Sequence, residues 1–299
     1  MWASFKIVNR YYWKSLFGPG VMLVFSVLFL FVVSSCWDLV GIFNSFMVMP
    51  NLICAIIMFI GMLCVPITIN SLRTSMIMKR INSSKITMFQ FIAALLVYYY
   101  IGTLITYLYI LGIGFLIYCN KVNDYISALK MINVLELWYA TTIMYIFCVA
   151  FGLFILCFTK RAYVCVVTTI VFFVLGFFLS PFGAPLAMVH DIRPHLSGDT
   201  GLVDYNPCPL FYITYFNPFW YTTSMSYEAF FSKASQTYNV FGSSIFNPSQ
   251  RLWTYIQVLS GNPHIKLTIT DKWLNLFVPV GLTAIMAVFE SKAFKWVVR

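Results

Sequence analysis

The stretch LELWYATTIMYIFCVAFGLFILCF (135–158) decides the class of fold. Its one charged side chain, Glu136, stands at its start, and it ends just before Lys160 and Arg161. As a helix it would cover about 36 Å, enough to cross the ~30 Å hydrocarbon core of a bilayer. Five further apolar runs of this kind, 19–41, 49–70, 89–118, 163–181 and 273–291, repeat the pattern along the chain. The run 89–118 exceeds what a crossing needs, so that span would tilt or project.

The whole chain agrees with this local reading. Of 299 residues, 61% are hydrophobic and 9% charged, where a soluble domain carries roughly 25% charged residues. That composition excludes a soluble enzyme, a disordered tail and a nucleic-acid module. The expected fold is an all-α membrane protein with six transmembrane helices. Residues 1–18 would form an N-terminal amphipathic interfacial helix on the cytoplasmic side. Residues 19–181 would hold spans one to five with a cytoplasmic loop at 71–88. An extracytoplasmic loop at 182–272, with short re-entrant or interfacial helices, would precede the last span and basic tail at 273–299.

Charge sets the orientation. With the N-terminus in the cytoplasm, the inner segments carry Lys6, Arg10, Lys14, Arg73, Lys79, Arg80, Lys85, Lys160, Arg161, Lys292, Lys295 and Arg299, against the single acid Glu290. The outer segments are nearly neutral. Lys121 and Lys130 face Asp124, and loop 182–272 has five basic and five acidic residues. Positive-inside bias therefore places both termini in the cytoplasm, and the net charge of +10 reflects topology rather than a nucleic-acid partner. The chain opens on Lys6, Arg10 and Lys14 rather than on a cleavable signal, so the first span is expected to be a retained anchor.

Three segments do not span. In residues 2–17, drawn as a helix, Phe5, Val8, Tyr12 and Leu16 share one side and Lys6, Arg10 and Lys14 the other. This pattern suits a helix in the interface plane with its cations near an anionic inner leaflet, as an anchor or as a docking site for a cytoplasmic partner. The inner loop NSLRTSMIMKRINSSKIT (70–87) mixes Met76, Ile77, Met78 and Ile81 with basic residues, as a short helix pressed on a partner or on the membrane would. The outer loop is dense in aromatics between Phe211 and Tyr221, with prolines at 207, 209 and 218. Asn217-Pro218 reads as a turn that opens a helix at 219–233.

The usual catalytic signatures are missing. The sequence has no G-x-x-x-x-G-K-[ST], no H-E-x-x-H and no C-x-x-C, so phosphate-loop, zinc and redox readings have no motif behind them. His190, His195 and Asp191 could be drawn around a metal, but surface histidines are more often solvated, and no metal site is assigned. The span interiors hold almost no ionisable group, which argues against a proton- or sodium-coupled carrier and against a charged pore. Tyr99, Thr103, Thr106 and Tyr107 belong to a hydroxyl stripe in span three that would either line a pathway or hydrogen-bond neighbouring helices. Cys54, Cys64, Cys148, Cys157 and Cys165 fall within spans as packing residues; Cys36, Cys119 and Cys208 lie nearer the outer side, their pairing left open.

The order of parts resembles the permease subunits of ABC-2-type ATP-binding-cassette exporters. RTSMIMKRINSSKIT (73–87) is similar to the family's inner motif, although Ser84-Lys85-Ile86-Thr87 lacks its usual proline. NPFWYTTSMSYEAF (217–230) is similar to the Asn-Pro-x-x-Tyr segment that precedes the family's final span. The resemblance implies a dimeric exporter in the cell membrane, formed with a second copy or a homologous permease. Each half would bind a separate cytoplasmic ATPase subunit that carries the ATP and Mg, so this chain would hold no cofactor and no catalytic residue. Arg73, Lys79, Arg80, Ile81, Lys85 and Thr87 would form the ATPase-coupling segment. Residues 2–17 would form a connecting helix on the same partner, and Asn217, Pro218 and Tyr221 would belong to a re-entrant segment at the outer end of the path. The cargo is left open, an amphipathic, lipid-, peptide- or drug-like molecule. A non-transporting membrane scaffold or assembly factor is the alternative.

Overall fold

The computed structural model describes residues 2–14, 20, 24, 26–28, 48–74, 88–117, 126, 129–130, 132–159, 162–178, 195–196, 203–204, 216–231 and 269–293. These are nearly all helical. Helix α1 is Trp2–Lys14. Helix α2, Val48–Met58, runs through a π-helical segment, Phe59–Cys64, into α3, Val65–Thr74. Then follow α4, Met88–Ile117, α5, Val134–Phe158, and α6, Ala162–Phe178. Two-residue strands His195–Leu196 and Val203–Asp204 pair antiparallel. Helix α7 is Pro218–Phe231 and α8 is Ile269–Ala293.

Among the described residues, four helical stretches are long and apolar enough to cross a membrane: Leu52–Leu72, Gln90–Gly114, Val134–Phe158 and Trp273–Ala293. Gln90–Gly114 lies within the expected run 89–118, and the other three overlap 49–70, 135–158 and 273–291, overrunning one end by one or two residues. In α6 the apolar stretch is shorter, Tyr163–Gly176. Most of the run 19–41 lies outside the described residues, as does most of 182–272.

The stretch Leu52–Leu72 is the central post, 89% buried, whereas only 17% of the α8 stretch is buried. That contrast places α8 at the periphery, with Trp273, Phe277, Ile285 and Val288 facing outward, as suits a surface whose solvent is lipid. Apolar side chains do not drive helices together in such a solvent; close backbone approach and hydrogen bonds do.

The central post and α5 approach closely at two glycines. Val65 N–H bonds to Ile60 O in the wider π pattern, and Pro66 has no N–H to offer the turn behind it. The carbonyl oxygens of Gly61 and Met62 are turned toward Gly152, where a Cβ would lie 3.1 Å from each and 2.5 Å from Pro66 Cγ. Only glycine fits. Gly61 meets the same helix, since a Cβ there would fall 2.6 Å from Cys148 Cβ.

Candidate functional site

Two of the places where polar contacts join helices involve non-spanning segments singled out by the sequence. The first is where α1 sits on α3 and α4. Val8 and Tyr12 are buried, while Lys6 and Arg10 are exposed on the other flank. Tyr11 Oη lies 2.5 Å from Ser71 Oγ, and Ser71 in turn donates to Thr68 O at 2.8 Å. Tyr98 Oη donates to Asn9 Oδ1 at 2.6 Å, and Thr68 Oγ1 lies 2.7 Å from Tyr99 Oη. Rings close the same contact, with Tyr12 edge-on to Tyr98 and Tyr99 at 5.2 and 5.6 Å.

This arrangement ties α1 to the end of α3 and the beginning of α4, the two helices that flank residues 75–87. Burial holds the Tyr12 phenol well above its ordinary range, with the nearby Tyr98 and Cys64 pushing the same way. The phenol therefore stays neutral in the contact. A pocket enclosed by Val8, Tyr11, Tyr12, Thr68, Leu72, Phe91, Leu95 and Tyr99 measures about 10 Å³, the size of a single water site at most.

The second place is the start of α7. Asn217 is buried and caps that helix, its Oδ1 accepting from Phe219 N–H at 3.2 Å. Pro218 takes the first helical position, where its missing N–H costs nothing. The other end of the Asn217 amide donates to Gly176 O of α6 at 3.0 Å. A Cβ on Gly176 would stand 2.8 Å from the Phe219 ring. Phe219 also meets Phe147 and Phe151 of α5, at 5.2 and 5.5 Å. At the far end of α7, Asn133 N–H donates to Ala229 O at 2.9 Å. Helix α7 thus runs antiparallel to α5. Its N-terminus sits about 20 Å along α5 from Asn133, near the middle of that helix. Its polar residues Thr222, Thr223 and Ser226 are buried; Thr222 and Thr223 both donate to Phe219 O, and Cys54 of α2 meets Ser226.

The remaining expected residues are placed as follows. Arg73 lies in the last turn of α3 and Lys14 closes α1, whereas Lys79, Arg80, Ile81, Lys85 and Thr87 lie outside the described residues. Tyr221 is half-buried in α7. On α4, Tyr99, Thr103 and Thr106 are buried and Tyr107 is half-buried. Thr103 donates to Tyr99 O at 2.8 Å and Thr106 to Gly102 O at 2.9 Å. Tyr100 Oη lies 2.7 Å from Thr142 Oγ1, and Tyr145 Oη donates to Leu96 O at 2.9 Å. Much of the stripe therefore makes bonds within and between helices.

Five participants carried weaker sequence signals. Gly61, Gly152 and Gly176 are small residues inside apolar runs, the mark of close helix approach, and Pro66 interrupts a span. Asn275 is the fifth: it is buried in α8, and its Nδ2 finds no partner among the described residues. Pro279, four residues on, also takes away the N–H that would serve the Asn275 carbonyl. Among the described residues, no group of three or more His, Cys, Asp or Glu is placed to hold a metal ion. No known protein family, characterised protein or solved structure matches this chain.

Proposed function

We propose that the chain is the membrane-spanning permease subunit of an ATP-driven exporter of the ABC-2 type, resident in the cell membrane with both termini cytoplasmic. It works as a dimer, and a separate cytoplasmic subunit binds and hydrolyses ATP with Mg. The observation that carries this reading is the clasp of α1 on α3 and α4 through Tyr11–Ser71 and Asn9–Tyr98. Residues 75–87, the segment similar to the family's coupling motif, are bracketed by the two helices that α1 holds. A push delivered there by the ATPase reaches α3 and α4 together rather than one helix alone.

The placement of α7 supports the same reading. A helix whose capped N-terminus sits midway along a spanning helix, and whose far end returns to Asn133, has the shape of a re-entrant segment before a final span. Irregular backbone at such depth is tolerated when it is buried in protein and capped, and Asn217 supplies the cap. The cargo is amphipathic in this reading, because the spans offer hydroxyls and aromatics but no charge.

The test is replacement of Lys79, Arg80 and Ile81 together. The variant chain should still insert and fold, but lose ATPase stimulation and export. Intact export in that variant would contradict the reading.

One observation favours the scaffold alternative. Tyr99, Thr103 and Thr106, offered by the sequence as pathway lining, are buried and bonded to protein within this single chain. A scaffold needs no polar route. Unchanged export in cells that lack the chain would decide for it.

A further inference from the structure

The outer flank of α1 carries a row of its own. At 100° per residue, Trp13, Lys6 and Arg10 fall within an arc of about 60°, away from Ser4, Val8 and Tyr12. Burial follows that division. Ser4, Val8 and Tyr12 are buried, Lys6 and Arg10 are exposed, and Trp13 is 63% exposed.

The ring contacts fix how the helix lies. Phe5 and Tyr12 stand about 10 Å apart along α1, yet both rings meet Tyr98, at 5.3 and 5.2 Å. A helix running alongside α4 would place them on residues two turns apart, so α1 crosses α4. With α4 spanning the bilayer, α1 lies close to the membrane plane. Its outer flank then lies at headgroup level.

We infer that Lys6, Arg10 and Trp13 form a binding row for anionic phospholipid headgroups. Two cations one turn apart are drawn to an anionic leaflet, and an indole ring settles at the headgroup boundary. A merely solvated flank gives no reason for an exposed tryptophan in line with both cations. The Trp13 ring also stands edge-on to Tyr12 at 5.6 Å, and Tyr12 packs on Tyr98 and Tyr99, which holds the indole beside membrane-spanning α4. Tyr98 in turn donates to Asn9, so the headgroup row adjoins the clasp on α4 through packed rings. The inference rests on the membrane reading and not on any ATPase partner.

Hydrogen–deuterium exchange of the full chain in lipid nanodiscs tests it. Amides of residues 4–13 should exchange about tenfold more slowly in discs containing phosphatidylserine or phosphatidylglycerol than in phosphatidylcholine alone. The difference should shrink in high salt and vanish in the K6Q/R10Q variant, with exchange across 134–158 unchanged as a folding control. Equal exchange in both discs, or a lipid difference that survives in the variant, overturns the proposal. Protection that arises only on adding an ATPase subunit, whatever the lipid, also overturns it by assigning the flank to a protein, and leaves the exporter reading standing.

Discussion

Tyr11 of the N-terminal helix and Ser71 of the central post share a hydroxyl–hydroxyl hydrogen bond of 2.5 Å, across 60 positions of sequence. Because Ser71 already donates to Thr68 O, its proton is committed, and Tyr11 is the donor in the pair. The bond ties α1 to the last turns before the inner loop. Replacing Tyr11 by Phe should cost about 1 kcal/mol, and Ser71→Ala a similar amount. In a double-mutant cycle read by unfolding in detergent, the two losses should fall short of additivity by 0.5 kcal/mol or more, roughly. Fully additive losses would mean that the residues do not act as a pair.

Tyr12 sets the alkaline limit of that contact. Its folded phenol is held neutral above the ordinary value of 10.0, while the detached phenol ionises normally. Stability of the docked helix should therefore be constant below pH 10 and fall as pH rises beyond it. In Tyr12→Phe, α1 should detach at a higher pH, as monitored by exchange of residues 4–13. An unchanged alkaline midpoint would remove Tyr12 from the cause.

At the crossing of the post and α5, Gly152→Ala forces a methyl against Pro66 and two backbone carbonyls. Backbone cannot move aside as a flexible side chain can, so the loss should reach several kcal/mol, in the upper range for overpacking. Gly112→Ala on α4, where nothing lies within 4 Å, is the matched control and should be neutral or slightly stabilising. Equal behaviour of the two variants in thermal unfolding would refute the close approach.

How much of this was legible beforehand divides along a physical line. The apolar runs at 49–70, 89–118, 135–158 and 273–291 carry their own helix signal, since each must satisfy its backbone internally to cross lipid. Asn217-Pro218 also announces a helix start, because a cap and a first-turn proline act locally; the helix there runs Pro218–Phe231 against an expected 219–233. What sequence could not resolve is partnership. Whether Tyr99 and Thr103 face a pathway or a neighbour depends on which helix stands beside them, and that Gly152 meets Pro66 depends on two spans folding together. Asn275 gave a polar residue in an apolar run without saying that its amide would have no partner among the described residues.

That amide makes a further prediction. If Asn275 has only a structural role, Asn275→Leu removes a buried unsatisfied donor and should stabilise the chain by about 1 kcal/mol. Greater stability together with lost export would mark Asn275 as a group retained for cargo or for a moving partner. A loss of stability would show that its amide is satisfied in the membrane.

Asn217→Ala deletes both the cap of α7 and the bond to Gly176 O. The expected loss is about 1–2 kcal/mol, felt first as faster exchange in residues 218–222. Asn217→Ser keeps a neutral capping oxygen without the amide donor that reaches Gly176 O, so it should recover part of the loss. No recovery would mean that the bond to α6 dominates.

The central claim is that an ATPase acts through the inner loop. The most direct measurement is ATP hydrolysis by the complex isolated from native membranes on a tagged copy of this chain, compared with the same preparation carrying replacements at Lys79, Arg80 and Ile81. The account predicts hydrolysis that co-purifies with the native chain and falls to background in the triple variant, with the variant still folded. Hydrolysis absent from both preparations, or undiminished in the variant, would contradict it.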